Sequence, residues 1–193
     1  LLADLDSIKN EYLEKSKEIK KRVIVCAGTG CIANGSDKVF NKFKELIKNS
    51  NLELVLDLTF EHHSDSATHL TESGCQGFCQ MGPLVDIEPD GILYVGVKEG
   101  DVEEIVNETL VNHKLVDRLL FKEPKTKQSC KGHGDISFYT RQHRFVLKQC
   151  GMVDPNDISE YIALDGYSAA RKSILEMTDK EVCDEILASG LRG

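Results

Sequence analysis

The sequence predicts an α/β domain, a four-stranded mixed sheet carrying helices, followed by an extended linker and a helical segment. Three observations predict it. Apolar runs at Val23-Ile24-Val25, Leu52 to Phe60, Leu84 to Glu88 and Ile92 to Val97 have the length of strands. Two other stretches repeat at helical spacing: Val39, Phe40, Phe43, Leu46 and Ile47, then Val102, Ile105, Val106 and Leu110. From His113 to about Cys150 the apolar pattern fades, and helical spacing resumes only beyond it.

In chain order, Leu2, Leu5, Ile8, Tyr12 and Ile19 make an amphipathic stripe, read as a helix over residues 1–20. Residues 21–115 form the sheet domain. Its first strand runs straight into Cys26. Ser36 and Asp37 are capping residues for the next helix. Leu52 to Phe60 is the second strand, and residues 61–73 are read as a polar loop. Pro89-Asp90-Gly91 is a tight turn between the last two strands. Asp101 and Glu104 open the second helix. The order β-α-β, hairpin, α is that of a thioredoxin-like sandwich. Residues 116–150, rich in lysine around Lys122 to His133, are expected as an extended connector, solvated or touching an acidic partner subunit. In residues 151–193, Asp154-Pro155 reads as a helix start. Tyr167, Ala170, Ile174 and Leu175 mark another helix, and Thr178 with Glu181 is a capping box before a last one closed by Gly190.

Composition narrows the class. The 193 residues are 40% hydrophobic, enough for a core, and the formal net charge is -8. With no basic stripe to offset that charge, nucleic-acid binding is disfavoured. No apolar run is long enough to span a bilayer, and no signal peptide is visible. Because the chain opens on Leu1, further residues are expected upstream.

Chemistry concentrates in the cysteines. There are seven. Cys26-Ala-Gly-Thr-Gly-Cys31 and Cys75-Gln-Gly-Phe-Cys79 are close pairs on two loops, C-x4-C and C-x3-C. Two sulfide-bridged irons need four terminal thiolates, so Cys26, Cys31, Cys75 and Cys79 are the candidate ligands of a 2Fe–2S cluster. Gly28, Gly30, Gly74, Gly77 and Gly82 are positioned to aim backbone N–H groups at sulfur, and Phe78 and Met81 to shield the site. Structural zinc accepts the same donors and stays open as an alternative, although many zinc knuckles use C-x2-C. A C-x-x-C redox thiol pair is absent, and His62, His63 and His69 are read as solvated loop residues. Cys130, expected exposed, Cys150, at a turn, and Cys183, expected to be partly packed on a helix, have no ligand spacing. Three leftover thiols suit a reducing cytoplasm.

Taken together, Val25-Cys26-x-Gly28-Thr29-Gly30-Cys31 and Gly74-Cys75-x-Gly77-x-Cys79-x-x-Gly82-Pro83 resemble the thioredoxin-like 2Fe–2S ferredoxins. They are especially similar to the copy at the N-terminus of the flavoprotein subunit in NAD(P)-linked, often electron-bifurcating, iron-only hydrogenases. Downstream, Asp157-Ile158-x-x-Tyr161-Ile162-Ala163, Gly166-Tyr167, Met177-Thr178 and Ser189-Gly190-Leu191-Arg192-Gly193 look like the opening of the flavin domain shared with the flavoprotein subunit of respiratory complex I. The resemblance implies electron transfer through a 2Fe–2S cluster, with FMN and NAD(P) bound by the full-length subunit, and other iron–sulfur or hydrogenase subunits as partners. It also implies that the flavin-binding loop lies beyond Gly193, so that this chain by itself does not oxidise NADH. A free-standing ferredoxin and a zinc-stabilised interaction module are the rival readings.

Overall fold

The computed structural model describes residues 4–50, 52–56, 58 and 67–192. Its sheet is mixed, as expected, but has five strands rather than four. They are β1 (Lys21–Cys26), β2 (Glu53–Val55), β3 (Ala67–Ser73), β4 (Val85–Glu88) and β5 (Ile92–Tyr94), in the spatial order β2-β3-β1-β4-β5. β2, β3 and β1 run parallel, while β4 and β5 close the other side as an antiparallel hairpin. Of the run expected to extend from Leu52 to Phe60, Glu53–Val55 is strand; residues 57, 59 and 60 lie outside the described part, as do His62 and His63.

The added strand is β3, whose residues the sequence reading placed in a polar loop. Alternation explains both the strand and the misreading. Leu70 pairs with Val23 and belongs to the apolar core. His69, Thr71 and Ser73 sit opposite Arg22, Ile24 and Cys26, on the sheet's other face. Along β3 that face is polar: Arg22 Nε donates to Thr71 Oγ1 at 3.2 Å, and the Arg22 guanidinium grips the buried Glu160 carboxylate at 2.6 and 2.9 Å. His69 is therefore buried, not solvated.

On the first face, α3 (Ser36–Asn49) lays Val39, Phe43 and Ile47 against Val23, Val25, Leu70 and Ile87. Beside it, α4 (Val102–Glu104) continues as a π-helix over Ile105–Val111 and buries Val102, Ile105, Val106 and Leu110. These apolar positions are the ones the helical spacing picked out. Burying each such side chain contributes roughly 1.5–3 kcal/mol.

The opposite face is covered by the segment expected to be an extended connector. It is folded. β6 (Phe121–Lys122) and β7 (Ser129–Cys130) pair as a small ribbon. Val95 N–H donates to Leu119 O at 2.9 Å and Leu93 N–H to Lys131 O at 2.8 Å, so this segment also lines the β5 edge. The approach is close enough that a Cβ on Gly132 would collide with Gly91 O. α5 (Ser137–Thr140) follows. Phe121, Cys130 and Ile136 join Cys26, Cys31, Phe78, Leu84 and Leu93 in a second core, so Cys130 is buried where exposure was expected.

α1 (Leu5–Ser16) starts from an Asp4 cap and stops short of the expected Lys20. It packs along α6 (Ile158–Ala163), aided by a Lys9–Asp165 ion pair at 2.7 Å. Asp157 caps α6, accepting from Ser159 and Glu160 N–H; Asp154, the expected cap, instead accepts from Asn156 N–H in a local turn. α7 (Ser168–Glu176) and α8 (Asp179–Ala188) bury no residue. The Thr178–Glu181 capping box forms as expected, and Cys183 is exposed rather than partly packed.

Burial, with the Arg22 cation beside it, lowers the His69 pKa from its ordinary value to about 4. The unfolded chain thus binds a proton that the folded chain refuses, and stability falls as pH drops from about 6.5 toward 4. Urea unfolding at about pH 7 and about pH 4.5 should show an acid loss of up to about 3 kcal/mol that His69→Gln removes. An identical acid loss in both proteins would contradict the assignment.

Candidate metal centre

Parallel pairing decides where the cysteines meet. Cys26 ends β1 opposite Ser73, which ends β3, and Ala27 N–H donates to Ser73 O at 2.9 Å. Both loops therefore leave the sheet at the same end, where functional loops of parallel strands gather. The first loop turns at Gly28 into α2 (Thr29–Ala33), which carries Cys31. The second passes Cys75, takes a left-handed step at Gly77 (φ 87°), makes a 3-10 turn over Cys79–Met81, and enters β4 through Gly82-Pro83.

The loops interlock through glycines. A Cβ on Gly28 would lie 2.9 Å from Cys75 Cβ, one on Gly30 would lie 3.3 Å from Cys79 Cβ, and one on Gly82 would lie 2.5 Å from Cys31 Sγ. Each missing side chain is the space that lets a cysteine of the other loop approach. Gly74 has nothing within 4 Å of its Cβ position. The structure thus brings together all four expected cysteines. Cys26 and Cys31 are each 1% exposed, while Cys75 and Cys79 are exposed, with their sulfurs 3.6 Å apart.

The electrostatics are those of thiols sharing protons. A hydrogen bond from the Cys31 sulfhydryl, helped by the Gln76 and Gly28 N–H groups, lowers the Cys26 pKa to about 6 against the cost of burial. Cys31, which keeps the shared proton and is itself buried, is raised. Cys79 is raised by its hydrogen bond to Cys75. Among the described residues, no three His, Cys, Asp or Glu side chains group as for a single ion; the thiols are grouped two by two.

Backbone donors do aim at sulfur, though not all are the expected ones. Gly77 N–H points to Cys75 Sγ at 3.3 Å and Gly28 N–H to Cys26. Gly74 instead offers its carbonyl to the Cys26 thiol at 3.8 Å. Gly30 and Gly82 matter for space. Gln76 and Leu84 supply further backbone donors, which no glycine marks in the sequence. Phe78 turns into the second core, stacked on Phe138 at 4.7 Å and edge-on to Phe121 and Tyr139 at 5.2 and 5.5 Å.

Behind the second loop is a polar strut the sequence did not announce. Gln76 Nε2 donates to the buried Asp86 carboxylate at 2.5 Å, and His133 Nε2 donates to its other oxygen at 2.7 Å. Arg144 Nη2 donates to Gln76 O at 2.5 Å. Nothing in local periodicity links residues 76, 86, 133 and 144, because only the folded connector brings them together.

Four thiols with no histidine among them, crossed by backbone donors and packed across two glycine-lined loops, suit an iron–sulfur cluster. Comparison with known proteins agrees. Residues 11–110 match the family described as Thioredoxin-like [2Fe-2S] ferredoxin, and the chain belongs to that family. Its cofactor is a 2Fe–2S cluster. A 2Fe-2S ferredoxin of Aquifex aeolicus is 36% identical over 95 residues, which is 49% of this chain and 76% of that protein. One from Clostridium pasteurianum is 32% identical over 100 residues, covering 52% and 94%. The NADP-reducing hydrogenase subunit HndC of Solidesulfovibrio fructosivorans is 47% identical over 53 residues, 28% of this chain and 11% of that subunit. A crystal structure of the Aquifex aeolicus thioredoxin-like ferredoxin superposes with TM-score 0.45 at 32% identity, covering 54% of this chain and 99% of that one.

The glycine contacts give a direct check. Gly28→Ala and Gly82→Ala should each cut bound iron severely, since the new methyl group meets a cysteine of the other loop. Gly74→Ala, one residue from Cys75 but with open space around it, should keep wild-type iron content. Equal iron in all three, measured colorimetrically after anaerobic purification, would contradict the interlocked geometry.

Proposed function

We propose that Cys26, Cys31, Cys75 and Cys79 are the terminal ligands of the 2Fe–2S cluster, and that the chain is the electron-transfer part of an NAD(P)H-linked flavoprotein subunit. The observation carrying the ligand assignment is the interlock of the two loops, which brings these four thiols to one end of the sheet. The bound cluster supplies a site that takes up and releases one electron at a time. The chain's residues do the rest. Cys26 and Cys31 hold the inner side under cover, and Cys75 and Cys79 present the outer side to a partner. The N–H groups of Gly28, Gln76, Gly77 and Leu84 stabilise negative charge on sulfur and so favour the reduced state. The Asp86 strut fixes Gln76, and with it the loop between Cys75 and Cys79.

The hydrogenase subunit HndC, similar over 53 residues, supports the flavoprotein setting, with residues 151–193 as the start of an FMN- and NAD-binding domain and hydrogenase-type subunits as partners. No described helix is long and apolar enough to cross a membrane. Cys130, Cys150 and Cys183, outside the ligand set, form no disulfide, which supports a reducing, cytoplasmic location. The two ferredoxin relatives favour a second reading, a free-standing carrier. Purifying the native gene product and identifying what accompanies it separates the two: flavin- and hydrogenase-type subunits support the first reading, and a lone carrier supports the second.

Ligand assignment is tested by substitution. Cys75→Ala should lose most of the iron and acid-labile sulfide, because alanine offers iron no donor and metal binding and loop order are coupled. Cys183→Ser, exposed on α8, should match wild type. Wild-type iron in Cys75→Ala would remove that residue from the ligand set.

A further inference from the structure

Charge in this chain is segregated in a way the net value of -8 hides. Residues 122–148 hold seven of the 24 Lys and Arg but only two of the 32 Asp and Glu. The fold carries the end of this segment to the cysteine loop. Phe138 stacks on Phe78, and Arg144 reaches the carbonyl of Gln76, between Cys75 and Gly77. Arg141, Arg144 and Lys148 form no ion pair among the described residues. Between the last two stands an apolar triplet, Phe145, Val146 and Leu147, at 82%, 77% and 61% exposure. The exposed thiols Cys75 and Cys79 lie in the loop this segment touches.

We propose that this basic and apolar segment beside the exposed cysteine pair is the docking surface for an acidic electron-transfer protein. The proposal rests on the electron-transfer reading and names the chemistry of the partner. Exposed apolar side chains bordered by unpaired cations suit a protein interface with a dry centre and charged rim. The remainder of the chain is acidic in sum, so its net field disfavours an acidic partner, while the segment next to Cys75 and Cys79 attracts one. Complementary charge of this kind sets encounter rate and orientation more than final affinity. In the encounter one electron leaves the reduced chain and reduces the partner's redox centre by one, and no bond forms or breaks.

Two ferric haem proteins serve as probes, an acidic b-type cytochrome and a basic c-type cytochrome, each taking up one electron at iron. Binding is followed by sedimentation at the haem wavelength, and electron transfer by stopped-flow mixing with the reduced chain. At low ionic strength the wild-type chain should bind the acidic probe and reduce it at least about tenfold faster than at high ionic strength. The double variant Arg141→Gln/Lys148→Gln should lose about tenfold of that rate at low salt, with iron content and visible spectrum unchanged. Phe145→Ser/Leu147→Ser should weaken binding at both salt concentrations. Equal behaviour of wild type and the charge variant toward the acidic probe, or a loss of rate in that variant as large with the basic probe as with the acidic one, would overturn the proposal. So would a salt-sensitive dimer of the chain alone that Arg141→Gln/Lys148→Gln dissolves, since the surface would then serve a second copy. Binding does not need the cluster and reduction does. A chain that binds the acidic probe without reducing it would therefore count against the electron-transfer reading and leave the docking surface standing.

Discussion

The arrangement depends on the backbone pairing of β1 with β3. With Cys26 and Ser73 side by side, the chain leaves both strands in the same direction, and two short loops must share one end of the sheet. A shift of one residue in that register would turn Cys26 toward the opposite face. It would also part His69 and Thr71 from Arg22, whose grip on Glu160 anchors α6 to the sheet. The register is therefore fixed twice, by Leu70 in the core on one face and by polar contacts on the other.

Once the loops share that end, small residues and hydrogen bonds complete the site. Glycines remove the side chains that would hold the loops apart, and backbone N–H groups stabilise sulfur as thiolate. The hydrogen bond from Cys31 and the Gln76 and Gly28 N–H groups favour Cys26 as thiolate, the form that binds metal, while Cys31 is pushed up. Such a set of thiols releases protons when it binds metal, so cluster assembly and pH are linked. The folded segment over residues 116–150 adds two things: an aromatic wall around Phe78 and a strut from His133 through Asp86 to Gln76.

What was legible in the sequence is what local spacing encodes. The cysteine pairs, the strands at Val23 and Val85, the helix from Ser36 and the Thr178 capping box follow from period, turn and cap chemistry. β3 was not legible, because a strand with one apolar and one polar buried face looks like a loop when its polar neighbours are unknown. The connector was not legible either: Val116, Leu119 and Leu120 join the first core, while Phe121, Cys130 and Ile136 have no period and gain meaning only against Phe78 and Cys31. The five conspicuous glycines pointed to the right place but not to their separate roles. Three of them make room, Gly77 turns the chain, and Gly74 lends a carbonyl.

The claim beneath the rest is that two loops close around one pair of bridged irons. Electron paramagnetic resonance of the anaerobically purified, dithionite-reduced chain tests it most directly. The account predicts a silent oxidised sample and, on reduction, a spin-one-half signal approaching one spin per chain. A sample with no such signal in the reduced state, or with the signal of an isolated ferric ion when oxidised, would contradict it.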